Sequence, residues 1–379
     1  MKNIIYIIDP QSVNSLANYD WHMIENIIDV EIHFFGNTRY NGKDFKQNVK
    51  FTPIYKYSKY SNPVLKAISY FISLIKIFFW GIRERPKAFH MQWIRVWILD
   101  WLFIRCFKSI LKTQFIFTVH NILPRNRNRK TFYHFKKLYH FSDRLVVHTE
   151  TTKNDLEKKF NVSSSIIIVM PHGLLEMNIS EVELKDAEQT LNEKYKFSDK
   201  IVFGALGVQS PYKGTDLLID AWIKSKELST STHSILLIAG KSSGINIPDN
   251  LPNNIVIISR LLSNAEFKYL LNRTDVMVLP YREIDQSGVL LSLINEEKPY
   301  CCTRAGELSR PIEQEDIGWI IEKCDEKSIA KVLTEINNNS SSITDKKNCS
   351  EGWKNLKDKY SWKRSNEILR HLYLDLLHK

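Results

Sequence analysis

Four short segments place chemically useful side chains just after runs of β-forming residues, where the ligands of doubly wound domains bind. In Phe117-Thr118-Val119-His120-Asn121-Ile122-Leu123-Pro124 a strand ends at Val119, so His120 stands at the mouth of its domain. An imidazole there could take a proton from a hydroxyl or hydrogen-bond a sugar. A histidine that simply ends a strand is the plainer alternative. In Met170-Pro171-His172-Gly173 the proline and glycine mark a turn, and Gly173 admits a close backbone approach. Gly204-Ala205-Leu206-Gly207-Val208-Gln209-Ser210-Pro211-Tyr212-Lys213-Gly214 starts on a strand and opens a helix near Asp216. Its glycines let backbone approach a ligand, and Lys213 can meet a diphosphate as a point charge. No Gly-Lys-Ser/Thr follows, so it is not a Walker loop. In Pro280-Tyr281-Arg282-Glu283-Ile284-Asp285-Gln286-Ser287-Gly288-Val289-Leu290-Leu291 a polar loop leads into an apolar helix. Backbone N–H groups at that helix start, open at Gly288, suit an anion better than a simple cap by Ser287 explains them.

These segments need scaffolds that end strands beside one another. Short β-branched runs at 3–8, 30–35, 88–93, 114–119, 144–148 and 165–169 alternate with helical stretches near 13–28, 62–82, 96–112, 130–140 and 150–159. The alternation restarts with strands at 201–206, 234–239, 254–258, 276–279 and 300–302 and helices near 213–226, 263–272, 287–296, 307–313 and 325–336. Near-continuous apolar strands separated by helices predict parallel sheets covered on both faces. Two such runs, parted by the polar, acidic stretch 175–198, predict an α/β chain of two doubly wound domains. The expected boundaries are 1–172, 173–340 and a helical tail, 341–379, rich in Trp353, Tyr360, Trp362 and leucines.

The charge is not spread evenly over the 379 residues. Residues 51–150 carry 18 Lys and Arg against 4 Asp and Glu, so the whole net excess of +11 lies there. The same stretch holds Tyr55, Tyr57, Tyr60, Tyr70, Phe71, Phe78, Phe79, Trp80, Trp93, Trp97 and Trp101. Basic side chains beside aromatic and aliphatic ones suit an anionic membrane surface. No helix-turn-helix, zinc or RNA-binding motif accompanies them, which argues against a nucleic-acid partner. The apolar run 63–80 is interrupted by Lys66 and Lys76 and reads as a helix lying half-buried or in the interface rather than spanning. Five cysteines without a CxxC pair point to a reducing cytosol, and no metal or other cofactor is expected. Ile4-Ile5-Tyr6-Ile7-Ile8, stopped by Asp9-Pro10, reads as a first strand rather than a leader.

Taken in order, Thr-Val-His-Asn-Ile-Leu-Pro (118–124), Val-Met-Pro-His-Gly (169–173), the lysine at 213 before Gly214, Pro-Tyr-Arg with Gln-Ser-Gly-Val-Leu (280–290) and Lys298-Pro299 resemble glycosyltransferase family 4 over roughly residues 1–336. The resemblance implies a GT-B fold, two Rossmann-like domains facing a central cleft, the first for the acceptor and the second for a nucleotide-sugar donor. It also implies a C-terminal helix returning to the first domain and metal-independent, usually retaining transfer. By position, His120 matches the cleft histidine near the donor sugar, Lys213 the lysine on the donor diphosphate, and Gln286, Ser287, Gly288 and Val289 the helix start under the phosphates. Gly207 joins this donor set, while Asn121 and His172 are assigned to the acceptor. The family's arginine five residues before the lysine is Val208 here, which leaves Arg260 or Arg282 to supply a second cation. The first of its paired glutamates falls on Asp285, with Glu283 nearby, and the second near Ser292 or Leu293. The expected partners are a nucleotide-sugar and a lipid-linked glycan, used at the cytoplasmic face of a bacterial membrane in surface-glycan assembly. A non-catalytic nucleotide-sugar or glycan-binding subunit and a nucleotide-sugar epimerase are the competing readings.

Overall fold

The computed structural model describes residues 3–12, 19–124, 128–177, 179–195, 197, 199–285 and 287–378. The chain divides into two compact units, Met1–Gly173 with Tyr360–Lys379, and Leu174–Lys359. In the first, β1 (Ile4–Ile8), β2 (Glu31–Asn37), β3 (Val49–Tyr55), β4 (Ala88–Met91), β5 (Gln114–Val119), β6 (Arg144–Val147) and β7 (Ile167–Val169) form one sheet in the order β3-β2-β1-β4-β5-β6-β7. Every pairing is parallel. The strand order reverses between β1 and β4. In the second, β8 (Ile201–Leu206), β9 (Ser234–Ala239), β10 (Ile255–Ile258), β11 (Val276–Leu279), β12 (Tyr300–Thr303) and β13 (Gly318–Ile321) run parallel in the order β10-β9-β8-β11-β12-β13, with the reversal between β8 and β11.

The apolar runs follow from helices on both faces of each sheet. All five residues of β1 are buried. Ile4, Tyr6 and Ile8 join a core with Leu74, Ile77, Ile104 and Phe107 of the helices Pro63–Glu84 and Trp97–Leu111. Ile5 and Ile7 point the other way, onto Leu369, Leu372, Tyr373 and Leu376 of the last helix, Trp362–Leu377. Strand alternation therefore feeds two cores at once. Asn366 fixes the last helix by donating to the carbonyls of His22 and Met23. In the second unit Phe203, Leu236 and Val278 pack with Leu218, Trp222 and Leu333.

Several elements differ from the sequence expectation. β3 and β13 were not expected; both are edge strands, where Pro53 or a short run of four residues is tolerated because one side of the ladder is unpaired. The stretch 175–198 holds a helix, Glu181–Lys194, started by a capping box of Ser180 and Glu183. Of the helix expected at 13–28, only Tyr19–His22 is helical among the described residues, 23–28 being turn and irregular; positions 13–18 lie outside the described residues. The tail 341–379 is divided, since Ser341–Lys347 and Ser350–Lys359 belong to the second unit and the helix Trp362–Leu377 to the first.

The helix Pro63–Glu84 is long and apolar enough to cross a membrane by length and composition, yet one of its faces is core. Tyr70, Ser73, Leu74, Ile77 and Gly81 recur at helical spacing and are buried. The opposite face leaves Val64, Ile68, Phe71, Ile72, Ile75 and Phe79 exposed, the last by 64%. The helix Trp97–Leu111 adds Ile98, Leu102 and Ile110 to the exposed apolar side chains. The two helices meet at Gly81, where an added Cβ would lie 2.5 Å from Phe107 Cζ and 2.8 Å from Leu111 Cδ1. Gly81→Val should therefore lower unfolding free energy by about 1–3 kcal/mol through overpacking, read as an earlier urea midpoint at unchanged slope; an unchanged midpoint would contradict this packing.

Candidate active site

In the second unit β8 and β11 are neighbours, so the segments that leave their carboxyl ends lie side by side. Gly214 adopts φ +68°, and a Cβ there would fall 2.0 Å from the Pro280 carbonyl oxygen. Only glycine lets the two segments touch at that point. Gly207 adopts φ +94°, and a methyl group built on it would sit 3.4 Å from Lys213 Nζ and 3.8 Å from Val289 Cγ2. Three expected donor residues from two segments thus surround one spot. Gln209 fixes the turn between them: its amide donates to the carbonyls of Ala205 and Gly207 and accepts from Thr215 Oγ1.

Lys213 is almost buried, with its ammonium 5.6 Å from the Tyr281 ring centroid. Ser287 is 7% exposed and accepts from Leu290 N, capping the helix Gly288–Asn295. Its hydroxyl also bonds to Tyr281, whose acidity burial suppresses. The N–H groups of the first turn, at exposed Gly288 and half-buried Val289, beside the lysine, make a site suited to an anion. Asp285 and Glu283 lie on the segment that leads into this helix; Gln286 lies outside the described residues.

The two arginines weighed as a second cation are both committed to carboxylates. Arg282 makes a bidentate pair with Asp216 at 2.8 and 2.7 Å, donates from its side chain to the Pro211 carbonyl, and donates its backbone N–H to Tyr212. It braces the turn that carries Lys213. Arg260, after the edge strand β10, pairs with Glu266 at 2.8 and 2.5 Å.

In the first unit successive strand ends carry a row of imidazoles. His90 is on β4, His120 follows β5, His148 follows β6 and His172 follows β7. His148 Nδ1–H donates to the Met170 carbonyl at 2.9 Å, which leaves Nε2 to accept from His120 Nδ1–H at 3.3 Å. A neutral His120 then has an acceptor at Nε2, 3.1 Å from the Gln92 amide. Flipping the Gln92 amide so that its nitrogen donates to His120 Nε2 satisfies this; His90 Nε2–H then has Thr118 Oγ1 at 2.7 Å and the Gln92 oxygen at 3.3 Å as acceptors, and Tyr373 donates to His90 Nδ1 at 2.7 Å. The whole row is hydrogen-bonded with every ring neutral. Trp93 stacks on His120 at 4.3 Å and 9°. Both nitrogens of His120 are thus engaged inside the unit, and burial holds its pKa well below the ordinary value. It is a weak proton acceptor at neutral pH. His172 sits against Tyr19 and Trp362, and Asn121 is exposed beside His120.

Sequence reasoning missed Gln92, His148, Gln209 and a buried carboxyl pair, Asp9 and Asp20, hydrogen-bonded to each other and pushed up by burial. Asp9 and His148 each directly follow a strand, and Gln92 and Gln209 come within three residues of a strand end. That position was the signal available.

Burial lowers His90 and His148 to about 3 and His172 to about 4. An unfolded histidine protonates near pH 6.5, so between those values the unfolded chain binds more protons. This stability is complete above about pH 6.5 and drains as pH falls; Asp9 and Asp20 titrate in the opposite sense. His148→Gln should therefore lose less thermal midpoint than wild type between about pH 7 and pH 5. An equal loss would mean that His148 is not held neutral.

Two doubly wound parallel units, the second with an anion-suited helix start at its switch point, are the architecture of the GT-B fold. Residues 28–174 match the model of Glycosyltransferase Family 4 and residues 200–339 that of Glycosyl transferases group 1. The chain belongs to the family 4-like GT-B glycosyltransferases. No curated protein matches it in sequence. Its fold is similar to sucrose-phosphate synthase from Thermosynechococcus elongatus (14% identity, 100% of both chains, TM-score 0.69). It is also similar to Anabaena Alr3699/HepE in complex with UDP and glucose (12%, 99% of this chain and 100% of that one, 0.70). A third is WaaG, a glycosyltransferase involved in lipopolysaccharide biosynthesis (12%, 98% and 99%, 0.65).

Proposed function

We propose that this glycosyltransferase moves a sugar from a nucleotide-sugar to a lipid-linked saccharide at the cytoplasmic face of a bacterial membrane, in the assembly of a surface glycan. The observation that carries the donor half is the convergence of Gly207, Lys213 and Val289 at the switch point between β8 and β11. The donor diphosphate rests on the N–H groups of Gly288 and Val289, with Ser287 beside it and Lys213 against its oxygens. As the bond from the anomeric carbon to the phosphate oxygen breaks, the nucleoside diphosphate leaves with added negative charge. The ammonium and the fixed N–H dipoles stabilise that charge without a metal. The acceptor oxygen forms the new glycosidic bond, and its proton passes to the departing phosphate, which suits retention of configuration. Asp285 and Glu283 hold sugar hydroxyls near the anomeric carbon. His120 meets the donor sugar as a neutral ring rather than as a base, and Asn121 and His172 face the acceptor. Arg282 serves by bracing the Lys213 turn, and Arg260 stays paired with Glu266.

The membrane half is supported by the exposed apolar faces of the helices Pro63–Glu84 and Trp97–Leu111. Exposed Lys56, Lys59, Lys66, Lys76, Arg83, Arg85, Arg105 and Lys112 lie on these helices and the segments flanking them. Apolar side chains entering the headgroup boundary and cations meeting anionic lipid would together hold the protein peripherally. The UDP in the Anabaena structure makes a uridine diphosphate sugar the first donor to test, and the lipopolysaccharide role of WaaG favours a surface glycan.

Lys213→Met should lower the turnover of nucleotide-sugar at least tenfold, about 1.4 kcal/mol of transition-state stabilisation, measured as UDP release; unchanged turnover would remove the lysine from the reaction. In flotation, wild type should rise with phosphatidylglycerol vesicles while Phe71→Ser with Phe79→Ser stays in the dense fraction. Equal flotation of the two, or preference for an oligonucleotide over vesicles, would reject the membrane surface.

A further inference from the structure

The first unit has a second feature at its switch point, a cavity of about 500 Å³ lined by Gln11, Asn37, Arg39, Tyr57, Lys66 and Arg95 among others. We infer that it seats the diphosphate headgroup of a lipid acceptor, an inference that rests on the reading of this chain as a membrane glycosyltransferase. Gln11 follows β1 and Arg95 follows β4, the pair of strands between which the order reverses, so the cavity opens where open parallel sheets bind ligands. Its size is that of a small-ligand site.

The lining is cationic and comes from separate elements. Arg39 follows β2, Lys66 is in the first turn of the helix Pro63–Glu84, and Arg95 precedes the helix Trp97–Leu111. Among the described residues none of the three forms an ion pair. Arg95 is held in place from two sides: its guanidinium lies 5.4 Å from the Tyr57 ring centroid and donates to Gln11 Oε1 at 3.3 Å. The acidic neighbours are turned inward. Asp100 accepts from Tyr70 Oη at 2.6 Å and from the N–H groups of Arg95 and Val96, and Asp9 accepts from Gln11 N and bonds to Asp20. Three cations on three elements match a ligand with more than one phosphate better than a single monoanion.

The rim decides between a lipid and a free anion. Pro63, Lys66 and Ala67 line the cavity, and on the same two turns Val64, Leu65 and Ile68 are exposed by 65%, 48% and 49%. A headgroup in the cavity would lay the start of its hydrocarbon chain on the same apolar stripe that meets the bilayer. A soluble diphosphate would leave that stripe unused.

The test is calorimetric titration of the full-length protein with geranyl diphosphate, geraniol and inorganic pyrophosphate, alongside UDP. Geranyl diphosphate should bind, with pyrophosphate and geraniol each at least tenfold weaker. Arg39→Gln with Lys66→Gln should weaken geranyl diphosphate at least tenfold while leaving thermal midpoint and UDP affinity unchanged. Pyrophosphate binding as tightly as geranyl diphosphate, equal binding by the variant, or no binding of geranyl diphosphate to wild type would each overturn the inference. Failure of wild type to bind UDP would instead sink the donor reading, while the geranyl diphosphate result would still decide the cavity.

Discussion

The adjacency of β8 and β11 is the constraint on which the proposed donor site depends. In a parallel sheet every strand delivers its next segment to the same edge, and where the strand order reverses two such segments leave in opposite directions and open a crevice. Here those segments carry Gly207, Lys213 and Gly214 on one side and Pro280, Ser287 and Val289 on the other. The contact of Gly214 with the Pro280 carbonyl sets their separation, and Gln209 and Arg282 hold their shapes. An anion placed there meets a lysine and a helix start without any rearrangement of charge, which is the condition under which fixed dipoles stabilise a leaving group most.

The first unit uses the same geometry for other ends. Its switch point has several exposed cations where the second unit's has the buried Lys213, and the neighbouring strand ends carry imidazoles kept neutral by burial and locked by a hydrogen-bond chain that begins at the Met170 carbonyl. A chain of neutral rings is rigid and polar but stores no charge, so it shapes a surface rather than relaying protons at neutral pH. On the flank the same unit leaves an apolar helix face bare. Exposed apolar patches of this extent on soluble domains mark surfaces that meet something else.

Much of this was legible in the chain. Runs such as Ile4-Ile5-Tyr6-Ile7-Ile8 and Ile235-Leu236-Leu237-Ile238 are apolar throughout because helices cover both faces, and that pattern alone predicts parallel sheets. Lys213 and Ser287 stand out because each follows a strand within a recognisable order of polar loop and helix start. β3 was not, since an edge strand with Lys50 and Pro53 lacks the burial that makes a strand readable. The fates of Arg260 and Arg282 were equally hidden: whether an arginine meets a ligand or a carboxylate depends on Glu266 and Asp216, and only folding brings Asp216 to Arg282. Gln92 was invisible for a related reason, because its role is to complete a network whose members come from several strand ends and the last helix.

The most direct test of the central claim is a crystal structure of the protein with UDP. The β-phosphate oxygens should lie within hydrogen-bond reach of the Gly288 or Val289 N–H and of Lys213 Nζ. A nucleotide whose phosphates sit anywhere else in the second unit, or in the first, would contradict the account.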